Sequence, residues 1–388
     1  LKKTIMASAA ALFLAGCTSE DARPKEDVLE TPFASLEQDA EGTVVRLYMW
    51  GGDEGINEYV DRFVTPFLKK RHDITLERVP IDTQDIIQKL RVEKKADKEV
   101  GVIDVVWING DNFKNAKREG LLYGDFVDIL PNRKLLDDTL NNDAGIAIDG
   151  LEAAFGKVQF VMHYDADRVK DVPQNLNELA DWIAENPGRF TYPEAADFTG
   201  NAFIRHVMLR HEGTETFEQA WAYLNDIEPN LWKSGKTYPK TLAQLDRLYA
   251  NGDVWMTMGF NERRAEQEVA KGVFPKETRA LVLEEGSIAS THFLSVPFNA
   301  PNPSGAFVVI NELLSPKAQL AKYESTYWGD GTSLDLDKLS DLEREAFLNV
   351  KAASSTPRAS DLEGKVAKEM EPDVFERIRS EWPEYVAR

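Results

Sequence analysis

Three short segments each join a flat aromatic ring, a glycine and an acid or carboxamide. They are Trp50-Gly51-Gly52-Asp53, Trp107-Ile108-Asn109-Gly110-Asp111 and Met258-Gly259-Phe260-Asn261. These residue types hold a small molecule rather than cut one. An aromatic face stacks on a ligand or attracts a cation, ~0.5–2 kcal/mol per contact. Glycine lets backbone N–H groups come close, and Asp or Asn fixes a polar group. Tyr192 and the pair Thr199-Gly200 add a second cluster, in which a predicted helix start offers amides to a phosphate or carboxylate. The candidate ligand residues are therefore Trp50, Gly51, Asp53, Trp107, Asn109, Asp111, Tyr192, Thr199, Gly200, Phe260 and Asn261. Each also has a structural reading. Asp53 and Asp111 are good N-caps, Trp50 and Trp107 end apolar strands, and Asn109-Gly110 is ordinary turn chemistry. Their shared place at strand ends is what groups them.

Bond-making chemistry finds less support. The five histidines (His72, His163, His206, His211 and His292) form no H-E-x-x-H pattern, and no G-x-S-x-G elbow occurs. Ser234-Gly235-Lys236-Thr237 resembles the tail of a phosphate loop, but Asn230 stands where the first glycine belongs, so it reads as a hinge-side loop. His292 lies between apolar residues of a predicted strand and reads as a core or lobe-interface histidine. The single cysteine excludes an internal disulfide and any multi-cysteine metal site. No metal and no cofactor is expected. A hydrolase working through carboxylates is the competing class.

Forty-six basic against 66 acidic residues give a formal charge of −20 over 388 residues. Such a surface repels phosphate backbones and excludes nucleic acid as the main partner. At the N-terminus Lys2 and Lys3 precede an apolar run from Ile5 to Ala15, closed by Leu14-Ala15-Gly16-Cys17. The run is too short to span a bilayer, which takes ~20 residues, but suits the core of a signal peptide. Residues 1–16 read as a lipoprotein signal and Cys17 as the lipidated residue. Residues 17–30, polar and acid-rich, read as a disordered tether. Thr31 is the expected N-cap and Pro32 the first helical position of the folded body.

The body alternates strands and helices. Strands are predicted over 44–50, 74–79 and 102–108, with helices starting at Asp53, about Asp82 and Asp111. This βαβαβ order implies a parallel sheet. After a strand at 156–164 come further predicted strands at 189–192, 254–258, 279–283 and 288–296, with helices at 200–211, 216–227, 242–250 and 261–271. The remainder reads as mostly helical.

The segments quoted above, with Phe190-Thr191-Tyr192-Pro193, Asp197 to Phe203, Thr291-His292-Phe293, Pro297 to Ala300 and Leu313 to Gln319, resemble the type II solute-binding proteins of ABC importers. They resemble in particular the YnjB-type branch, near the thiamine, polyamine and iron binders. The resemblance implies an α/β, two-lobed type II periplasmic-binding-protein-like fold. Each lobe would be a mixed, mostly parallel sheet flanked by helices, joined by two crossing strands. Residues 31–156 plus about 290–328 would form the N-terminal lobe, and 157–289 plus about 329–388 the C-terminal lobe. It further implies a monomer on the outer face of the envelope, held to the membrane only through its N-terminal lipid. Such a receptor passes a small solute to an ABC permease with its ATPase. Acids beside aromatics favour a cationic or zwitterionic, thiamine-like solute; a sugar or ferric ion stays open, although Tyr323 and Tyr327 are not the adjacent pair of a ferric site.

Overall fold

The computed structural model describes residues 28–210, 216–357, 362, 365–367 and 370–387. The predicted signal segment and Cys17 lie outside the described residues. Val28 is already buried among apolar side chains, so the tether expected to run to residue 30 ends earlier. Pro32, rather than Thr31, occupies the N-cap of helix α1 (Phe33–Ala40).

Three strands, β1 (Val44–Met49), β2 (Thr75–Pro80) and β3 (Val105–Ile108), pair in parallel in the order β2-β1-β3. Side chains alternate across a strand, and here both faces are apolar. Val45, Leu47, Met49, Val105 and Trp107 enter one core layer, while Tyr48, Val106 and Ile108 face the other. Helices cover both sides, as a parallel sheet requires. The segment after β1 runs as α2 (Glu54–Glu58), a π-helical stretch Tyr59–Val64 and α3 (Thr65–His72). Helix α4 (Thr83–Lys95) buries Ile86, Ile87 and Leu90, and α5 (Gly110–Arg118) buries Phe113 and Ala116. A two-residue hairpin, β4 (Asn142–Asp143) with β5 (Ile146–Ala147), follows.

The long strand β6 (Glu152–Asp165) leaves this sheet and enters a second one. There follow α6 (Leu176–Glu185), α7 (Phe198–Met208), α8 (Thr216–Ile227), α9 (Leu242–Asn251), β7 (Met256–Phe260), α10 (Arg264–Ala270) and β8 (Thr278–Leu281). Strands β7 and β8 flank the distal half of β6, both antiparallel to it. The expected parallel order therefore holds among β1, β2 and β3 but not around β6, which runs against both β7 and β8. Residues 189–192, predicted as a strand, join no sheet. The carbonyls of Arg189 and Phe190 each accept one backbone bond, from the N–H groups of Trp255 and Trp232, and no strand ladder forms.

Strand β9 (Ser287–Ser295) returns, pairing antiparallel with β6 and then with β3. Two antiparallel strands thus connect the lobes. Helices α11 (Pro303–Leu313) and α12 (Pro316–Tyr323), the short strand β10 (Gly331–Thr332) and α13 (Asp341–Leu348) come next. Leu334, Leu339 and Phe347 pack in the core of the first lobe, so the stretch from about 329 to 348 sits there and not with the second lobe as expected. Only afterwards does the chain cross, through β11 (Val366–Ala367) beside β9, to α14 (Pro372–Tyr385). Ile378, Trp382 and Val386 join the second-lobe core. No helix among the described residues is long and apolar enough to cross a membrane.

Candidate functional site

The end of β1 turns through Gly51 and Gly52 into α2. Asp53 caps that helix, its carboxylate accepting the Ile56 N–H at 3.0 Å. Trp50 stands half-exposed at the turn. The end of β3 turns through Asn109, which holds the N-cap position of α5, and Gly110, whose φ of +61° only glycine adopts readily. The Gly110 N–H donates to Asp143 at 2.6 Å. The helix expected from Asp111 thus begins one residue earlier. From the second lobe, β7 ends at Phe260, and Asn261 follows with a left-handed backbone. Its side chain donates to the Trp328 carbonyl at 2.9 Å and accepts the Arg263 N–H at 3.0 Å.

Between these turns lies a cavity of about 240 Å³ bordered by Gly52 and Asp53 from the first lobe and Asp246, Asn261 and Arg264 from the second, with Trp328. Arg264 joins the two sides: its guanidinium bonds Asp246 and lies 3.7 Å from Asp53. Burial pushes the Asp246 carboxyl above its ordinary range while Arg264 pulls it back. Burial also works against the Arg264 charge, yet Asp246 and Asp53 outweigh it and hold the guanidinium proton more firmly. Nearby the lobes meet closely. A Cβ added at Gly55 would lie 2.6 Å from the Gln267 side chain and 2.7 Å from the Tyr327 carbonyl.

The crossing strands carry a second polar group. Lys322 is fully buried and donates to Asp330 at 2.6 Å and to the carbonyls of Phe155 and Gly331 at 2.8 and 2.7 Å, which fills its three donors. His292 lies 3.4 Å from the other Asp330 oxygen, its ring 4.9 Å from Trp107 and 5.5 Å from Trp328. Beside Asp330, burial and that like charge push the Glu262 carboxyl up to about 7. This group of His292, Asp330, Glu262 and Lys322 is where acids and aromatics converge.

On the other side of the interface a smaller pocket, about 60 Å³, is bordered by Asn109, Asp111, Arg205, Ser290, Phe375 and Arg379. Two of these come from α14, which no spacing in the sequence placed near the strand ends.

Not every expected residue reaches an open surface. Tyr192 is fully buried in the second-lobe core, where its hydroxyl accepts the Trp382 indole N–H at 3.1 Å. Thr199 and Gly200 do not offer free amides. The Asp197 carboxylate already accepts both N–H groups, at 2.8 and 3.1 Å, and caps α7. The oxyanion receptor expected there is thus occupied by the chain itself. Trp107 is 8% exposed and packs edge-on against Phe155, so it shows the interface little more than a ring edge. Phe260 is half-buried against Phe198 at 5.0 Å. Asp53 and Asn261 border the larger cavity, Asn109 and Asp111 the smaller. Asp246, Arg264, Trp328 and Arg379 were not anticipated; only Arg264, three residues beyond Asn261, lay close to a marked segment. Among the described residues no group of three or more His, Cys, Asp or Glu side chains is placed to hold a metal.

Comparison with known proteins agrees with this geometry. A family model described as bacterial extracellular solute-binding protein matches residues 62–335. The chain belongs to the bacterial extracellular solute-binding proteins. Protein YnjB of Escherichia coli (strain K12) is 33% identical over 330 residues, covering 80% of this chain and 85% of YnjB. Among solved structures, the fructose-6-phosphate-bound periplasmic binding protein AfuA of Actinobacillus pleuropneumoniae aligns with a TM-score of 0.64. The identity is 15%, over 89% of this chain and 98% of AfuA. The spermidine/putrescine ABC-transporter substrate-binding protein PotD of Streptococcus pneumoniae aligns at 0.62 and 16% identity, over 88% and 98%. The solute-binding fold with its two lobes is thus shared, on neighbours whose names indicate both a sugar phosphate and polyamines.

Proposed function

We propose that this solute-binding protein captures a small cationic or zwitterionic organic solute between its lobes and delivers it to an ABC permease, without bond chemistry. The observation that carries the ligand class is the charge around the larger cavity. Asp53, Glu54, Asp246 and Glu268 border it against Arg247 and Arg264, so carboxylates outnumber guanidiniums four to two. Its volume of about 240 Å³ lies just under the ~300–1,000 Å³ of drug-sized sites, which favours a compact solute. Asp53 from one lobe and Asp246 from the other meet at Arg264, so ligand groups that compete for these carboxylates act on both lobes at once. A ligand shifts the open–closed balance only by its differential affinity for the closed form. In the same reading Cys17 carries the lipid and residues 17–27 the tether, the protein stands outside the cytoplasm as a monomer, and the lobes divide near residue 156 and again near 290. The test is a thermal-shift screen of the chain against spermidine, putrescine, thiamine, amino acids, sugars, sugar phosphates and ferric citrate. Stabilisation by one amine or zwitterion alone supports the reading; stabilisation by sugar phosphate or ferric ion, or by none, contradicts it.

A further inference from the structure

The C-terminal helix α14 is rooted in one lobe and touches the other. Ile378, Trp382 and Val386 lie in the second-lobe core. The Phe375 carbonyl accepts from Asn201 at 3.2 Å, and the Arg205 guanidinium covers the Phe375 ring at 3.9 Å. Trp221 donates through its indole N–H to Glu381 at 3.2 Å. The opposite side of the helix meets α5, whose Phe113 and Ala116 pack in the first lobe. There Lys114 pairs with Asp373 at 2.8 Å and Asp111 with Arg379 at 3.4 Å. These ion pairs cross from lobe to lobe, and Phe375 and Arg379 of the same helix wall the smaller pocket.

We propose that α14 is a clasp of the solute cleft: a helix fixed to the second lobe that holds the first through Lys114–Asp373 and Asp111–Arg379, and walls the smaller pocket between the lobes. The inference rests on the solute-receptor reading for its purpose, but not for its geometry. Strands β6 and β9 join the lobes, and holding them together takes side-chain contacts across the same boundary. The pairs on α14 supply such contacts before any solute arrives. Both are ionic, and Lys114–Asp373 is the open one, with Asp373 88% exposed to solvent while Asp111–Arg379 is mostly covered, so the first pair contributes weakly and is easily broken. Weak, reversible contacts set a balance between two forms; they do not lock one of them.

The test avoids truncation, which would uncover Trp382 and Ile378, and uses Lys114 and Asp373, which border neither cavity. Small-angle scattering of the ligand-free full chain reads the interlobe opening, and hydrogen exchange of residues 105–118 reads the freedom of α5. Lys114→Glu and Asp373→Lys each place like charges opposite one another and are expected to enlarge the radius of gyration and speed exchange in α5. The swap Lys114→Glu with Asp373→Lys is expected to restore both. Neutral Asp373→Asn, the mildest variant, is expected to move the closed-to-open ratio by up to roughly fivefold. Melting curves confirm that each variant is folded. Single variants that leave scattering and exchange unchanged, or a swap that stays as open as the singles, overturn the clasp. That outcome leaves the receptor reading standing, whereas an empty ligand screen removes the receptor and leaves the clasp.

Discussion

Replacing Glu262 by glutamine separates the cost of a buried charge from its use. The carboxyl lies beside Asp330 at the crossing strands, and burial, assisted by that like charge, lifts its pKa from an ordinary 4.5 to about 7. One pKa unit is worth about 1.4 kcal/mol, so the full shift corresponds to about 3 kcal/mol. The side chain keeps some solvent contact, and screening reduces the expected figure to about 1–2 kcal/mol. The sign follows from proton linkage. Between pH 4.5 and 7 the folded chain holds a proton at Glu262 that the unfolded chain has released. This group's contribution to stability therefore falls as pH rises through that window and is fully unfavourable above it. Glutamine has the same shape and no charge. Glu262→Gln is expected to match the parent near pH 4.5 and to exceed it by about 1–2 kcal/mol at pH 8, read by urea unfolding at several pH values. A difference constant with pH, or a variant less stable at pH 8, refutes the reasoning.

Other perturbations follow from the same geometry. His163 and His206 are buried, which depresses their pKa values to about 3 and about 4; the unfolded chain takes up protons below pH 6.5 that the folded chain refuses. Stability is expected to fall as pH drops from 6.5 towards 4, and His206→Leu to flatten that slope, as followed by melting temperature. Arg264→Gln leaves Asp246 and Asp53 without their shared cation and is expected to lose ~3 kcal/mol or more of stability at neutral pH by chemical unfolding, and to recover part of it under acid. Tyr192→Phe removes the acceptor of the Trp382 indole N–H, which costs about 1 kcal/mol and leaves solute affinity unchanged; an affinity loss without destabilisation would return Tyr192 to the site. Trp50→Ala, at a half-exposed ring, is expected to spare stability within about 0.5 kcal/mol and to lower the fluorescence change on solute binding.

Local chemistry was legible and long-range chemistry was not. Val105 to Ile108 is an unbroken apolar run, and the Asn-Gly that follows ends it, so β3 and its turn declare themselves. Asp53 caps as its position suggests, because an N-cap is a contact three residues long. Asp197 misled by the same token. It stands just ahead of Thr199 and consumes the amides that a helix start seems to advertise. Residues Ile56, Tyr59, Val60, Phe63 and Phe67 fit a single helix on paper, yet Tyr59–Val64 winds as a π turn that tucks Tyr59 beneath Trp328. The bridge from Asp53 through Arg264 to Asp246 spans two lobes, and no periodicity connects positions 53, 246 and 264. Nor does any local pattern bring α14 to α5, since Lys114 and Asp373 are 259 residues apart. Burial misplaced Tyr192 for a related reason: strand-end aromatics look alike until the helix that covers them, here α14 with Trp382, is in place.

The central claim is that one small cationic or zwitterionic solute occupies the space between Asp53, Asp246 and Glu268 and draws the lobes together. Titration calorimetry of the best-stabilising amine from the screen, paired with scattering of the free and saturated chain, tests it most directly. The account predicts saturable binding of one solute per chain, lost in an Asp53→Asn and Asp246→Asn double variant, with a radius of gyration that decreases or stays at its closed value when solute is added. Saturable binding that survives both substitutions, or a chain that opens on saturation, would contradict it.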